Sequence, residues 1–341
     1  MTRIFGMNFL GQGATMPKPR GQQISLCDTR YYHVSSRVVR KAYLCGIDKS
    51  NGKSYEHRRD WVARRIEHLA SVFAIDICAY AVMHNHLHLV LYVDVEQAQT
   101  WSDMEVIRRW HALFRGTYLT RLFVNQETLL SCERATVQSS IEIYRQRLMD
   151  ISWFMRALNE YIARKANAED ECTGRFWEGR FKSQALLDET ALLTCMAYVD
   201  LNPVRAKIAT TPEQSDFTSI QQRIKAAING KQPAMLAKFT GNQRSDNSKG
   251  IHFDLADYFA LVDTTGRIMR EDKPGVIDPS SQPILSRIKV SPENWFKIAT
   301  EFECIFTRAV GTPQSLSNFY QNIGLSRRHG IANSQRWLSS G

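Results

Sequence analysis

An α+β fold is what the sequence predicts, and three observations predict it. Short apolar runs of strand character alternate along the chain with segments of helical period. One run, Tyr80 to Tyr92, is strongly apolar yet carries His84, His86 and His88 at every second position. Residues 141–168 place Tyr144, Leu148, Ile151, Met155, Leu158 and Ile162 on one helical stripe of the kind that packs on a core. Strands interleaved with helices on a small sheet fit a ferredoxin-like antiparallel sheet with helices on one face.

The elements follow in order. Residues 28–37 read as an opening strand, and Asp60–Phe73 as a helix with Ile66, Leu69, Ala70 and Phe73 on one face. Ile75–Val93 contains the histidine strand, while Val106–Phe114 and Ile141–Ala168 read as helices. Asp188 is placed to cap a helix through Leu192, Leu193, Met196, Ala197 and Val199, with Glu189 favourable in its first turn. Pro203 disfavours helical geometry at the residue before it, so this helix is expected to end near Asn202. Lys238–Gly250 has the polar, Gly/Asn/Ser-rich composition of a linker. Beyond it, Ser291-Pro292 has the cap-then-proline pattern of a helix start, running to about Val310. The division expected is a tail over 1–27, a catalytic domain over 28–230, a linker over 231–250 and a helical extension over 251–341.

Side chains on a strand alternate faces, so the three histidines are expected on one face and Ala81, Met83, Leu87, Leu89 and Leu91 on the other. Imidazole is a common ligand for divalent metals, and His86 with His88 forms a ready half-site. The competing reading is a pair of partly exposed histidines on the polar face of an edge strand. Downstream, Tyr198 and Asn202 are four apart and share a face of the last helical turn. On those two residues alone, a half-buried tyrosine and a capping asparagine would suffice.

Taken together, the two stretches resemble the insertion-sequence tyrosine transposases of the HUH endonuclease superfamily, in particular the REP-associated branch. The resemblance rests on His86-Leu87-His88, with His84 where that family usually has proline, and on Tyr198 followed by Asn202-Pro203-Val204-Arg205. Tyr32–Arg37, Trp153–Asn159 and Arg175–Lys182 look like further family segments, and the likeness spans roughly residues 28–225. It implies that Tyr198 attacks a phosphodiester in single-stranded or hairpin DNA, leaving a 5′-phosphotyrosine and a free 3′-OH. It also implies Mg²⁺ or Mn²⁺ on His86, His88 and Asn202. A tyrosine hydroxyl is a poor nucleophile at neutral pH, so a metal polarising the phosphate suits the chemistry.

Composition agrees. The 341 residues carry a formal charge of +10, which favours a polyanion partner. Arg175, Trp177, Arg180 and Lys182 interleave cations with aromatics in one loop, the mixture that stacks unpaired bases, though Trp177 could equally anchor the loop. Arg37, in the cluster Arg37–Lys41, and Arg205 complete the expected DNA contacts. Seven scattered cysteines without a Cys-x-x-Cys pair indicate reduced thiols in a cytoplasm. No apolar run approaches the ~20 residues that span a bilayer. Met16 looks like a more natural start than Met1, making Met1–Thr15 a leader. A monomer or homodimer is expected. Two other classes stay open: a nucleic-acid-binding protein without catalysis, and a metal-dependent phosphoesterase without a covalent intermediate.

Overall fold

A computed structural model describes residues 23–39, 42–48, 50–241, 249–270 and 282–338. The expected leader and Met16–Arg20 lie outside the described residues, as does 242–248 in the expected linker.

The chain opens with β1 (Tyr31–Arg37), α1 (Arg58–Val72) and the hairpin of β2 (Ile75–Val82) and β3 (His86–Val93). Five helices follow: α2 (Val95–Thr100), α3 (Asp103–His111), α4 (Tyr118–Val124), α5 (Ser131–Leu148) and α6 (Ile151–Glu169). Then come β4 (Lys182–Leu186), α7 (Glu189–Asp200), the single turn α8 (Asn202–Arg205), and α9 (Ser219–Ala227). The C-terminal part contains α10 (Leu255–Arg270), α11 (Gln282–Arg287), α12 (Pro292–Ile305), β5 (Ala309–Val310), α13 (Pro313–Asn322) and α14 (Ile331–Trp337). The strands form one sheet in the order β2-β3-β1-β4-β5. Every pairing is antiparallel except the last, β4 with β5.

Helices cover both faces of this sheet, not the one face expected. On one face Tyr32, Val34, Leu87, Leu89 and Leu91 pack with α1, α5 and α6 residues such as Ile66, Leu69, Phe154 and Leu158. On the other, Ala79, Ala81, Val90 and Leu186 pack with Met196 and Val199 of α7, Tyr258 of α10, and Trp295 and Phe302 of α12. The reason lies in α7, whose residues are buried on all sides and so demand partners beyond the sheet. The C-terminal part supplies them. It is not purely helical either, since β5 extends the sheet edge.

Three expectations about the backbone change. The run 75–93 is a hairpin turning at Met83–Asn85, with a register shift between Ile77 and Ala79. Ala81 therefore sits opposite His88 and shares its face, and Met83 joins the same core, contrary to a single-strand parity. Residues 141–168 are two helices, because Asp150 breaks the run and caps α6 by accepting a hydrogen bond from Ser152 N at 2.5 Å. Pro203 does not end the helical path but opens a new turn at Asn202, whose first positions need no N–H donor. The Asp188 cap forms as expected, taking Ala191 N at 2.8 Å. Likewise Ser291 caps α12 through Asn294 N at 3.2 Å, but α12 ends at Ile305 rather than near Val310.

Candidate active site

The histidine face of the sheet meets α7, α8 and α12 to make a compact polar cluster. From β3 come His86, half-buried, and His88, 1 % exposed. β1 adds His33 and Ser35 on the same face, and Ser35 lies directly opposite His88 in the strand register. β4 adds Gln184 opposite His33. Over this row α7 lays Tyr198, whose ring centroid is 5.8 Å from that of His88 and 6.4 Å from that of His33. Tyr198 is only 5 % exposed, covered by Phe302 of α12 at 5.7 Å. His84 is elsewhere: it occupies the exposed hairpin turn with its ring over Gly46, so the expected row of three becomes a pair. Gly46 has φ +94°, and a Cβ there would come within 2.8 Å of the His84 ring.

Hydrogen-bond bookkeeping fixes the imidazole tautomers. Gln184 Oε1 lies 3.2 Å from His33 Nδ1 and can only accept, so that nitrogen carries the proton. His33 Nε2 must then accept from His88 Nδ1, 2.9 Å away. This leaves a lone pair on His88 Nε2, a buried atom with no hydrogen-bond partner. Asn85 Oδ1 accepts from His86 Nδ1 at 2.7 Å, which leaves a lone pair on His86 Nε2 as well. The His86 and His88 rings are 4.9 Å apart, centroid to centroid. Two neutral imidazoles, each with Nδ1 tied down and Nε2 bare, suit a divalent cation. Burial keeps all three imidazoles neutral: it pushes His33 and His88 below the ordinary range and His86 down to about 4.

Glu303 of α12 is the carboxylate at this site. Tyr198 Oη donates to Glu303 Oε2 at 3.4 Å, and Ser35 Oγ to Oε1 at 3.3 Å. Oε1 also lies 3.8 Å from His88 Nδ1, and the ligating atoms of His33, His88 and Glu303 fall within 4.8 Å of one another. A cation on that trio would break the His33–His88 hydrogen bond and strand a buried N–H on His88 Nε2, so the Nε2 side is the better fit. Arg205, expected as a DNA contact, lies 4.0 Å over the Tyr198 ring and donates to Thr300 O at 2.8 Å. Burial raises the Tyr198 hydroxyl above its ordinary range; Arg205 pulls it back and Glu303 pushes it further up.

The remaining expected residues are spread more widely. Asn202 is 2 % exposed with its Nδ2 unpartnered, and no hydrogen bond to the histidines is seen among the described residues. Arg37 is exposed at the end of β1, opposite His86 in register. Lys182 is exposed at the start of β4, opposite Ser35. Arg175 and Arg180 are exposed, while Trp177 is half-buried and ties its indole N–H to Asn159 O at 2.8 Å, as an anchor does. Sequence reasoning missed His33 and Glu303. The strand parity of Tyr32–Arg37 puts His33 and Ser35 on one face and could have exposed the first; nothing local pointed to the second.

No protein-family model matches the chain, and no curated protein matches it. One solved structure that does is of a REP-associated tyrosine transposase bound to a REP hairpin, 12 % identical. The match covers 64 % of this chain and 90 % of that one, at a TM-score of 0.34. A likeness of that size fixes neither activity nor site; the side chains of the cluster have to do so themselves.

Proposed function

We propose that this chain cleaves and rejoins single-stranded DNA, hairpin-bearing DNA above all, through a covalent bond to Tyr198. The observation that carries the reading is the meeting of Tyr198, His86, His88 and Glu303, brought from three separate parts of the sequence to one point. We read the four antiparallel strands in the order β2-β3-β1-β4 as the expected ferredoxin-like core. Tyr198 Oη attacks the phosphorus, the bond from phosphorus to the 3′-oxygen breaks, and Glu303 takes the phenolic proton. The departing 3′-oxygen takes a proton from water and stays available for the reverse reaction. His86 and His88 would hold a divalent cation through Nε2, which when bound polarises the phosphoryl oxygens. His33 and Gln184 orient His88 from behind. Arg37 and Lys182 stand where a phosphate backbone entering the site would pass.

A second reading takes support from one fact: Tyr198 is nearly covered by Phe302. A nucleic-acid-binding protein without catalysis would look like this. One experiment separates the two. The protein is incubated with Mg²⁺ and labelled single-stranded hairpin DNA taken from beside its own gene, then denatured and digested. The expected result is a nucleotide-bearing peptide containing Tyr198. Absence of any adduct, or equal cutting of a fully paired linear duplex, would overturn the proposal.

A further inference from the structure

Two clefts meet on the outer side of α6, which covers the sheet face opposite α7 and Tyr198. The first, of about 440 Å³, has an apolar wall of Met155, Ala163, Trp177 and Phe181 and is lined also by Arg156, Glu160 and Arg180. The second, of about 500 Å³, is lined by Arg65, Arg156, Arg164 and Lys165 beside Tyr161 and Phe114. Arg156 and Glu160 belong to both, so the two form one groove.

The lining of this groove is predominantly positive. Its five cations, Arg65, Arg156, Arg164, Lys165 and Arg180, line it with a single carboxylate, Glu160, which Arg156 and Arg164 share. Aromatic faces, which orient a cation without neutralising it, hold three of the five. Arg65 lies 4.6 Å over Tyr161 and donates to Ala157 O at 3.2 Å, Lys165 lies 4.0 Å over Trp61, and Arg156 lies 5.0 Å over Trp153. Pre-positioned cations beside an apolar slot are what an unpaired nucleotide needs: phosphates for the charges and a base for the slot. The groove also adjoins the site. Phe181 lines it, and the next residue, Lys182, stands on the histidine face of the sheet.

We propose that this groove binds an unpaired DNA segment flanking the bond at Tyr198, one base in the apolar cleft and its phosphates on Arg65, Arg156, Arg164 and Lys165. The choice of DNA rests on the proposed cleavage function, but the test does not require cleavage. Full-length protein carrying Tyr198→Phe is titrated into a fluorescent DNA hairpin, bare or with an unpaired flank, and binding is followed by anisotropy. A flank of natural bases should bind about tenfold more tightly than the same flank made abasic. Ala163→Trp, which fills the cleft without altering charge, should remove that difference and leave the bare hairpin unaffected. Arg164→Glu should weaken flanked DNA and lower the salt dependence of its binding. Equal affinity for natural and abasic flanks would overturn the proposal without any protein variant having to fold. So would equal loss by bare and flanked hairpins in Arg164→Glu, since the groove would then be holding duplex backbone. Base-dependent binding without an adduct at wild-type Tyr198 would leave the groove standing and sink the cleavage reading; an adduct without base-dependent binding would do the reverse.

Discussion

Two buried polar clusters hang on the same helix, two residues apart, and they are finished differently. Asp200 points to one side of α7, where its carboxylate accepts from Ser219 Oγ at 2.5 Å, Ile220 N at 3.0 Å and Tyr258 Oη at 2.6 Å. Tyr198 points to the other, where its hydroxyl makes a long hydrogen bond to Glu303 with Arg205 beside it, and the neighbouring His88 Nε2 has no partner. A buried polar group left without a partner costs free energy, and structures seldom keep one without a use for it. The Asp200 cluster reads as architecture, tying α7 to α9 and α10, although its neighbour Arg223 leaves Nε and Nη1 unpaired against Phe239. The Tyr198 cluster fits the proposed function, in which the bare imidazole nitrogens would take a cation and the hydroxyl a phosphodiester.

The contrast breaks most sharply at Tyr198. Tyr198→Phe removes one oxygen with a 3.4 Å contact, so stability in urea should change by less than about 1 kcal/mol while the covalent DNA adduct disappears. An adduct that persists, or one mapped to another residue, would mean the orphaned cluster is not the reactive one. Asp200→Ala should do the opposite. It strands the Ile220 N–H and the Tyr258 hydroxyl in the core, Ser219 keeping Tyr80 O as an acceptor, and unfolding free energy should fall by about 3 kcal/mol. A loss under about 1 kcal/mol would show that the Asp200 side is no more structural than the other.

Between these extremes lies Glu303. Glu303→Gln keeps the shape and the ability to accept from Tyr198 but cannot take a proton. Adduct formation should slow by about 10²-fold with the melting temperature unchanged. If the rate is unaltered, the carboxylate only covers the tyrosine.

How far the sequence reaches depends on the same division. His86, His88 and Tyr198 were legible because each sits in a short motif with a defined period, and Asp188 was legible as a cap because caps act over three residues. Glu303 was not, since its meeting with Tyr198 spans 105 positions and nothing in its own helix marks it. The face of Ala81 was misjudged because a turn and a bulge reset the alternation between β2 and β3, and period-two reasoning has no memory across either. The two-faced covering of the sheet was missed for a related reason. A helix buried all round announces that it needs partners but not which segment supplies them.

The smallest effect is also the one that sets the clusters against each other by sign. Burial pushes His86 down to about 4, below its ordinary 6.5, so between those values the unfolded chain binds a proton that the folded one refuses. That contribution to stability is present above pH 6.5 and is lost as the pH falls towards 4. Burial moves Asp200 the other way, from 3.8 up to about 6, so there the folded chain holds the extra proton and acid stabilises. In the wild type the two oppose. His86→Asn deletes the first and leaves the second, so on going from pH 6.5 to pH 5 the variant should lose about 1–2 kcal/mol less stability than the wild type, at about 1.4 kcal/mol per pH unit for a full proton. His33 and His88, also held neutral by burial, keep the rest of the acid sensitivity in both proteins. Urea unfolding at the two pH values, on both proteins, measures the difference. Equal acid losses would mean that His86 is not held neutral by the fold, and the bare Nε2 on which the cation fit depends would lose its physical basis.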